Sequence, residues 1–292
     1  MFMQKDIINY TQGLLLKHIG RKFTKIYIEK YILPIITNII NSKKKKFLIS
    51  GSQGVGKSTL VLILKSVIEN IYNKKVMSVS IDDYYFSKNK RLQLSKQIHP
   101  LLQTRGVPGT HDLDKLSKHI SQFSKKKFPI IIPVFDKLSD DLTKKKISIN
   151  KADILLLEGW CCGCLPIDNK YLCKNINKLE TDLDKNNIWR NFYNDKLQND
   201  YKKIFKLFDL KIYMQPPSFK CVYKWRADQE RRNLSKSVNK KYMNKKQLDK
   251  FIQHYEKITK WMMKTMPAEA DMLIKVNKNQ MIKKIFMIDN FL

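Results

Sequence analysis

Short apolar runs and longer amphipathic stretches alternate along most of this chain. The runs are rich in Ile, Leu and Val, as buried strands are, and lie at 47–50, 76–81, 129–134, 154–157, 210–214 and 272–276. Between them, apolar residues recur at spacings of three and four, which predicts helices near 57–68, 113–123, 225–232 and 246–266. This alternation predicts an α/β fold, a parallel sheet with helices on both faces.

The first 42 residues carry a helical pattern without any chemical motif. Their apolar positions predict two helices, at about 5–20 and 24–41. We therefore expect residues 1–42 to form an N-terminal helical extension packed on the core, and residues 43–292 to form the main domain. The chain has no run of 18 or more apolar residues, so we expect a soluble protein without a membrane partner.

A glycine-rich turn joins the first predicted strand to the helix that follows it. Residues 51–58 read GSQGVGKS, the G-x-x-x-x-G-K-[ST] phosphate loop, with a strand before it and a helix after it. Lys57 would reach the β- and γ-phosphates of ATP, and the Ser58 hydroxyl would ligate Mg²⁺. The predicted nucleotide-binding residues are Gly51, Ser52, Gln53, Gly54, Val55, Gly56, Lys57, Ser58 and Thr59. The alternative is a glycine-rich turn with an incidental lysine.

Charged residues follow three more of the predicted strands. They are Asp82 and Asp83, then Asp136 with Lys137, and then Glu158. Because ligands bind at the carboxyl ends of parallel strands, we expect these residues to form one composite site with the phosphate loop. We predict that Asp82 is the base for an acceptor hydroxyl and that Glu158, or else Asp83, completes the Mg²⁺ shell. Alternatively, the two aspartates cap a helix and Glu158 pairs with a surface lysine.

A loop rich in Gly and Pro, at 99–112, is the predicted acceptor site. Arg105 in this loop suits bidentate recognition of a carboxylate or phosphate. His111 could equally be a structural histidine. The predicted acceptor-binding residues are Asp83, Arg105, His111, Asp112, Asp136 and Lys137.

Arginine is scarce in this chain, and three of its seven arginines lie in one predicted helix: Arg226, Arg231 and Arg232. An arginine lid would supply positive charge to a transition state and exclude water. We therefore predict that Arg226 is catalytic together with Asp82 and Lys57. The alternative is a solvated helix face.

The net charge of +31 comes almost entirely from lysine. The chain is also rich in Asn and Ile, a pattern that an AT-rich coding sequence explains. We therefore interpret the basic residues as a solvated exterior and predict no specific nucleic-acid partner; a functional nucleic-acid surface is the alternative. The sequence predicts no oligomeric state.

Five cysteines, an odd number, favour reduced thiols and a cytoplasmic location. Three of them cluster at Cys161, Cys162 and Cys164. The cluster lacks a second half with His or Cys at ligand spacing, so we expect packed side chains rather than a zinc site.

Several further segments follow the phosphate loop in order over about 47–276. They are SIDDYY at 80–85, HPLL at 99–102, RGVPGTHD at 105–112, PVFDK at 133–137, LEGWC at 157–161, WR at 225–226 with QE at 229–230, HYE at 254–256, and TMP at 265–267 with AD at 270–271. Together with the phosphate loop, these segments resemble D-glycerate 3-kinase and related kinase-like phosphate-loop proteins. The resemblance implies the P-loop NTPase kinase fold shared with uridine kinase, pantothenate kinase and phosphoribulokinase, and it places the base of that superfamily at Asp82.

These observations predict an ATP-dependent small-molecule kinase that uses Mg²⁺. The expected reaction transfers the γ-phosphate to a hydroxyl of a small hydroxy acid, with D-glycerate first among the acceptors. One alternative is a P-loop kinase with another small acceptor. Another, from a different class, is a nucleic-acid-stimulated ATPase, and a third is a nucleotide-binding regulatory protein without turnover.

Overall fold

The fold is built around one large, mostly parallel sheet. The computed structural model describes residues 4–234 and 243–287, with the side chains of 232–234 outside that description. The strands in this part of the chain are β1 (Lys46–Gly51), β2 (Val76–Ser80), β3 (Ile130–Asp136), β4 (Asp141–Ile149), β5 (Ile154–Gly159), β6 (Leu210–Gln215), β7 (Met272–Val276) and β8 (Ile282–Met287). Six of them form a sheet in the order β2-β5-β1-β6-β7-β8, in which only β8 runs antiparallel to its neighbour. The predicted parallel α/β sheet is confirmed.

Both faces of this sheet are buried. In β1, Phe47 and Ile49 belong to one hydrophobic cluster, whereas Leu48 between them belongs to the other. All three are at most 1% exposed. Because successive strand residues point to opposite faces, a strand covered on both sides reads as an unbroken apolar run, which is the pattern at 47–50.

Helices cover the two faces. They are α1 (Gln4–Ile19), α2 (Lys25–Tyr27), α3 (Leu33–Asn41), α4 (Lys57–Ile71), α5 (Lys88–Gln97), α6 (Leu113–Ser124), α7 (Asn169–Cys173), α8 (Lys178–Leu183), α9 (Ile188–Lys196), α10 (Lys202–Phe205), α11 (Phe219–Leu234) and α12 (Lys245–Glu269). One cluster holds α1, α3 and α4, and the other holds α6 to α10 together with α12. Within 4–234 and 243–287, no helix combines the length and apolar character that crossing a bilayer requires.

The N-terminal helices share the core beneath α4. Ile7 and Leu15 of α1 are buried in the same cluster as α4. The Tyr27 hydroxyl accepts a hydrogen bond from the Ile282 N–H at 2.7 Å, and Tyr31 donates to the Lys283 carbonyl at 3.1 Å, so this segment also touches β8. A domain boundary near residue 42 stays a prediction.

The predicted strand at 129–134 lies outside the main sheet. As β3 it pairs antiparallel with β4, from Ile130 opposite Ile149 to Asp136 opposite Asp141. The prediction that every motif follows a strand of one parallel sheet was therefore wrong for Asp136 and Lys137, which lie at the turn of this hairpin. The pattern did not predict β4 because it is rich in lysine and largely exposed, and so shows no apolar run.

Candidate active site

The phosphate loop connects the carboxyl end of β1 to the first turn of α4. Gly54 has a φ of 75°, and a Cβ at this position would lie 2.7 Å from the Cβ of Trp225 on α11. A glycine is therefore required both by the left-handed backbone and by the close approach of α11. From the turn between β7 and β8, the side-chain amide of Gln280 donates to the Gly54 carbonyl. The loop is thus supported by two distant segments of the chain.

Lys57 is buried at the base of this loop and is only 9% exposed. Its ammonium donates to the Ser52 carbonyl at 2.9 Å. Burial lowers the pKa of Lys57, while the nearby carboxylates of Glu158 and Asp82 act in the opposite direction. The lysine therefore contacts the loop directly and is influenced by the charges of the carboxylates that follow β2 and end β5.

The Ser58 hydroxyl and the Glu158 carboxylate lie together, and each offers an oxygen that could bind a metal ion. Glu158 on β5 lies opposite Ile49 of β1 and Ser80 of β2, and the Ser58 hydroxyl donates to its Oε1 at 3.2 Å. Hydroxyl and carboxylate oxygens suit Mg²⁺. No cluster of three His, Cys, Asp or Glu able to hold a metal occurs among the described residues, so an ion here would complete its shell with water and phosphate oxygens.

Asp82 follows β2 and receives two side-chain hydrogen bonds. Lys137 donates from Nζ to Oδ2 at 2.6 Å, and Tyr85 donates from its hydroxyl to Oδ1 at 2.7 Å. Burial opposes the charge on this carboxylate, but Lys137 and Tyr85 outweigh it and hold the pKa of Asp82 at about 2. The carboxylate is therefore ionised at neutral pH. The capping alternative does not describe Asp82, since α5 is capped by Ser87.

The neighbouring Asp83 borders a separate cleft of about 180 Å³. It accepts a long hydrogen bond from the Phe135 N–H at 3.4 Å, and burial raises its pKa. Asp112 borders the same cleft, where it caps α6 by accepting from the Lys115 N–H at 3.0 Å. Two of the predicted acceptor-binding carboxylates therefore lie together, but in a cleft whose lining does not include Asp82.

The turn of the β3–β4 hairpin places Lys137 over Asp82. The carboxylate of Asp136 accepts from the backbone N–H groups of Leu138 and Ser139, at 3.0 and 3.2 Å. Asp136 thus shapes the turn from which Lys137 reaches Asp82. The Lys137 side chain is 59% exposed, so it is accessible to a small anionic molecule.

Arg105 forms a salt bridge with Asp140, a partner that sequence reasoning missed. Its guanidinium pairs with Asp140 and lies 5.6 Å from the centre of the Phe135 ring. Asp140 also pairs with Arg91 at 3.0 Å. Arg91 is fully buried and donates to three backbone carbonyls, those of Phe86, Gln103 and Asp140. The rarity of arginine in this chain was the one signal that could have singled out Arg91.

His111 lies in the buried part of the loop at 99–112. It is 3% exposed, its ring centre is 4.6 Å from that of Tyr85, and its Nδ1 is hydrogen-bonded to the Tyr201 hydroxyl. Burial lowers the pKa of His111 to about 4, although the charge of Asp82 acts in the opposite direction. Sequence reasoning missed Tyr201. It lies 90 residues after His111 in a polar helical segment, and no local pattern there marks it as a partner of His111.

Arg226 lies on the side of α11 that faces the phosphate loop. It borders a small cavity with Gln53 and Tyr255. Its guanidinium pairs with Glu230 one turn along the helix and donates to Gln229 at 2.9 Å. The other two arginines of the predicted lid differ: Arg231 is exposed and pairs with Asp228, and the side chain of Arg232 lies outside the described residues.

The cysteine cluster follows β5, the strand that carries Glu158. Cys161, Cys162 and Cys164 are buried and free, and burial raises the pKa of each thiol. Neutral, packed thiols of this kind act as small apolar side chains.

Comparisons with known proteins point to kinases. No family model matches the chain. It is 31% identical over 248 residues to the "Probable ATP-dependent kinase TDA10" of Saccharomyces cerevisiae, covering 80% of this chain and 82% of that protein. It is 30% identical over 219 residues to the "Uncharacterized kinase mug58" of Schizosaccharomyces pombe, covering 71% and 76%.

A solved structure shows the same fold. The D-glycerate 3-kinase from Cryptococcus neoformans superposes with a TM-score of 0.70 at 19% identity, covering 97% of this chain and 98% of that one. At this level of identity the similarity establishes architecture alone.

Proposed function

The chain belongs to the P-loop kinase family that includes pantothenate and uridine kinases, and we propose that it phosphorylates a hydroxyl group of a small hydroxy acid. D-glycerate is the leading acceptor. The observation that carries the proposal is the position of Asp82, an ionised carboxylate that follows Ser80 at the end of β2, where Ser80 lies opposite Glu158, the partner of Ser58 in the phosphate loop. Phosphoryl transfer to an alcohol needs such a carboxylate beside the phosphate-binding lysine.

On the donor side, the phosphate loop and Lys57 bind the β- and γ-phosphates of ATP. Backbone N–H groups at the start of α4 and the Lys57 ammonium neutralise charge there. Ser58 and Glu158 would hold Mg²⁺, which would balance the negative charge of the phosphates. Arg226 borders the same small cavity as Gln53 of the phosphate loop. If its guanidinium releases Glu230, it can add positive charge near the transferring phosphoryl group.

On the acceptor side, Asp82 orients the hydroxyl and takes its proton. Its two oxygens are already positioned by Lys137 and Tyr85, so little reorganisation is needed when an acceptor hydroxyl arrives. A carboxylate with a pKa of about 2 is always available as the ionised form at neutral pH. The proton is expected to move as charge develops on the transferring phosphoryl group.

The cations around Asp82 favour an acidic acceptor. The side chain of Lys137 is more than half exposed, and that of Arg105 is 18% exposed beside the same hairpin. Either cation can recognise a carboxylate group, and Arg105 suits bidentate binding. A small hydroxy acid carries a carboxylate and a hydroxyl a few bonds apart, which fits a site with a cation next to a base.

The location that fits this activity is the cytoplasm. All five cysteines are free thiols. Unpaired thiols persist in a reducing compartment, where ATP is also at hand.

The proposed function is tested by measuring ADP release with Mg-ATP in the presence of D-glycerate, pantothenate, uridine or ribulose 5-phosphate. We expect D-glycerate to accelerate ADP release well above the rate without acceptor, with one phosphorylated product per ADP. Lys57→Ala, which lacks the phosphate-binding ammonium, controls for contaminating kinases. If no acceptor is phosphorylated, the proposed function is contradicted. RNA-stimulated turnover without any acceptor effect would instead favour an ATPase.

Replacing Glu158 by Gln is expected to raise the Mg²⁺ concentration needed for half-maximal activity by about tenfold or more. Gln keeps the shape of the side chain and can accept from Ser58, but it lacks the negative charge that attracts the ion. The measurement is a Mg²⁺ titration of turnover at saturating ATP.

The matched control for Glu158→Gln is Glu69→Gln. Glu69 accepts from the Val76 N–H at 3.1 Å at the far end of α4, and Gln can accept the same bond. An unchanged Mg²⁺ requirement in Glu158→Gln would show that this carboxylate does not bind the ion.

A further inference from the structure

The His111 imidazole has one nitrogen with a defined partner and one without. Nδ1 is hydrogen-bonded to the Tyr201 hydroxyl, and Nε2 is buried with no partner among the described residues. The Tyr201 hydroxyl also accepts a hydrogen bond from the Gly109 N–H at 3.0 Å. Tyr201 has no exposed surface, so water does not replace these contacts.

These contacts decide which nitrogen of His111 carries the hydrogen. The Gly109 N–H can only donate, so the Tyr201 oxygen is its acceptor and the Tyr201 O–H remains to be placed. If Tyr201 donates to Nδ1, the imidazole carries its hydrogen on Nε2, and of the His111, Tyr201 and Gly109 groups involved only that N–H is left without a partner. If Nδ1 carried the hydrogen instead, the Tyr201 O–H and the Nε2 lone pair would both be buried without partners. Since each unpaired buried polar group is costly, the first arrangement is favoured.

The His111 ring, which carries the unpartnered Nε2, lies in the neighbourhood of Asp82. The His111 ring packs against Tyr85, whose hydroxyl donates to Asp82 Oδ1, and the charge of Asp82 acts on the imidazole. Burial keeps the ring neutral at neutral pH. A neutral ring with an unpartnered N–H is therefore held one side chain, Tyr85, away from the carboxylate that the proposed reaction uses as its base.

We propose that Tyr201 holds His111 in the tautomer with hydrogen on Nε2, and that this N–H donates to an oxygen of the acceptor substrate. The proposal rests on the proposed kinase function and adds a positioning residue, Tyr201, from the helical segment 188–205. It also limits which chemical groups the acceptor can carry next to the reacting hydroxyl. The group beside the reacting hydroxyl must be an oxygen that accepts a hydrogen bond, such as a hydroxyl or carboxylate, because an ammonium group would oppose the N–H.

The first half of the proposal is tested by ¹⁵N NMR of the full-length protein labelled at its five histidines. The two imidazole nitrogens resonate far apart when only one carries hydrogen, so the tautomer is read directly. His254 is an internal reference of the opposite kind, since its Nδ1 faces the Lys250 carbonyl at 2.9 Å and must donate. We expect hydrogen on Nε2 of His111 in the wild type and a shift toward Nδ1 in Tyr201→Phe, with His254 unchanged. Hydrogen on Nδ1 in the wild type would overturn the proposal.

The second half is tested by kinetics with D-glycerate. We expect Tyr201→Phe to raise the KM for D-glycerate about tenfold and to leave the KM for ATP unchanged. The variant loses the hydrogen bond between Tyr201 and His111, which in this proposal orients a contact with the acceptor and none with ATP. His111→Gln keeps an N–H donor near the Nε2 position and should retain more activity than His111→Leu. Equal activity of these two variants would contradict a contact with the acceptor.

The tests separate this proposal from the proposed function. The spectrum is recorded without substrate, so it decides the tautomer whether or not any acceptor is phosphorylated. If every acceptor in the panel fails, the kinase assignment and the substrate contact both fail, whereas the tautomer stands or falls on the spectrum. If Tyr201→Phe does not fold, the wild-type spectrum decides the tautomer and the His111 pair decides the contact.

Discussion

Replacing Asp82 by Asn is expected to lower kcat by about 100-fold or more while leaving ATP binding intact. Asn has the same shape and can accept a hydrogen bond from Lys137 or Tyr85, but it can neither take a proton nor carry the charge that Lys137 neutralises. The comparison requires kcat from ADP release with the accepted hydroxy acid and the dissociation constant of ATP measured separately.

The pH dependence of the wild type sharpens this prediction. Because the pKa of Asp82 is held at about 2, the carboxylate stays ionised from pH 8 down to pH 5. The depressed pKa also means that the stability contributed by this carboxylate is present above the ordinary pKa of an aspartate and is lost only as pH falls toward 2. A fall in activity between pH 8 and pH 5 would therefore have to arise from another group.

Two control variants show whether the effect of Asp82→Asn is specific to the acceptor side of the site. Asp153→Asn makes the same chemical change at the amino end of β5, where Asp153 accepts from the Lys75 N–H at 2.8 Å, and it should leave turnover unchanged. Lys57→Ala should weaken the handling of ATP itself, unlike Asp82→Asn. A fully active Asp82→Asn would mean that the base lies elsewhere, and Asp83→Asn would be the next variant to measure.

Replacing Arg190 by Met is expected to lower the free energy of unfolding by about 3–5 kcal/mol. Arg190 on α9 is fully buried, with its Nε 2.8 Å from Asp184 and its Nη1 3.5 Å from Glu180. Lys257 on α12 lies 3.2 Å from the same Glu180. Removing the guanidinium would leave Asp184 without its buried cation and Glu180 with only one, and an uncompensated buried charge is costly.

This buried network joins the helical insertion at 169–205 to α12. The two elements carry Tyr201 and Tyr255, which hold His111 and the Arg105 backbone carbonyl respectively. If Arg190→Met destabilises this network, the contacts that Tyr201 and Tyr255 make with the loop at 99–112 should weaken as well.

The Arg190 prediction is measured by urea unfolding of matched variants. Lys196→Met, also on α9, removes the partner of Asp200 at 2.8 Å in a pair that is one-third or more exposed. Because exposed pairs contribute little, this control should change the free energy of unfolding by less than about 1 kcal/mol. If Arg190→Met were equally mild, the buried network would not be needed for the fold.

Much of the fold was predictable from the sequence because its signals are local. The apolar runs at 47–50 and 154–157 and the turn GSQGVGKS each combine a backbone preference with a burial pattern inside one short segment. The strands that escaped prediction, β4 and β8, are largely exposed and contain lysines, so no apolar run marks them. A strand with little to bury leaves little trace in the hydrophobic pattern.

The sequence by itself determined the phosphate loop, the carboxylates that follow β2 and end β5, and the parallel α/β architecture that gathers them at one edge. The tertiary structure alone decided their partners: Lys137 on Asp82, Asp140 on Arg105, and Tyr201 on His111. Each of these pairs joins residues 35 or more positions apart. Whether such side chains meet depends on how separate elements pack and orient in space, and no local propensity or spacing rule encodes that.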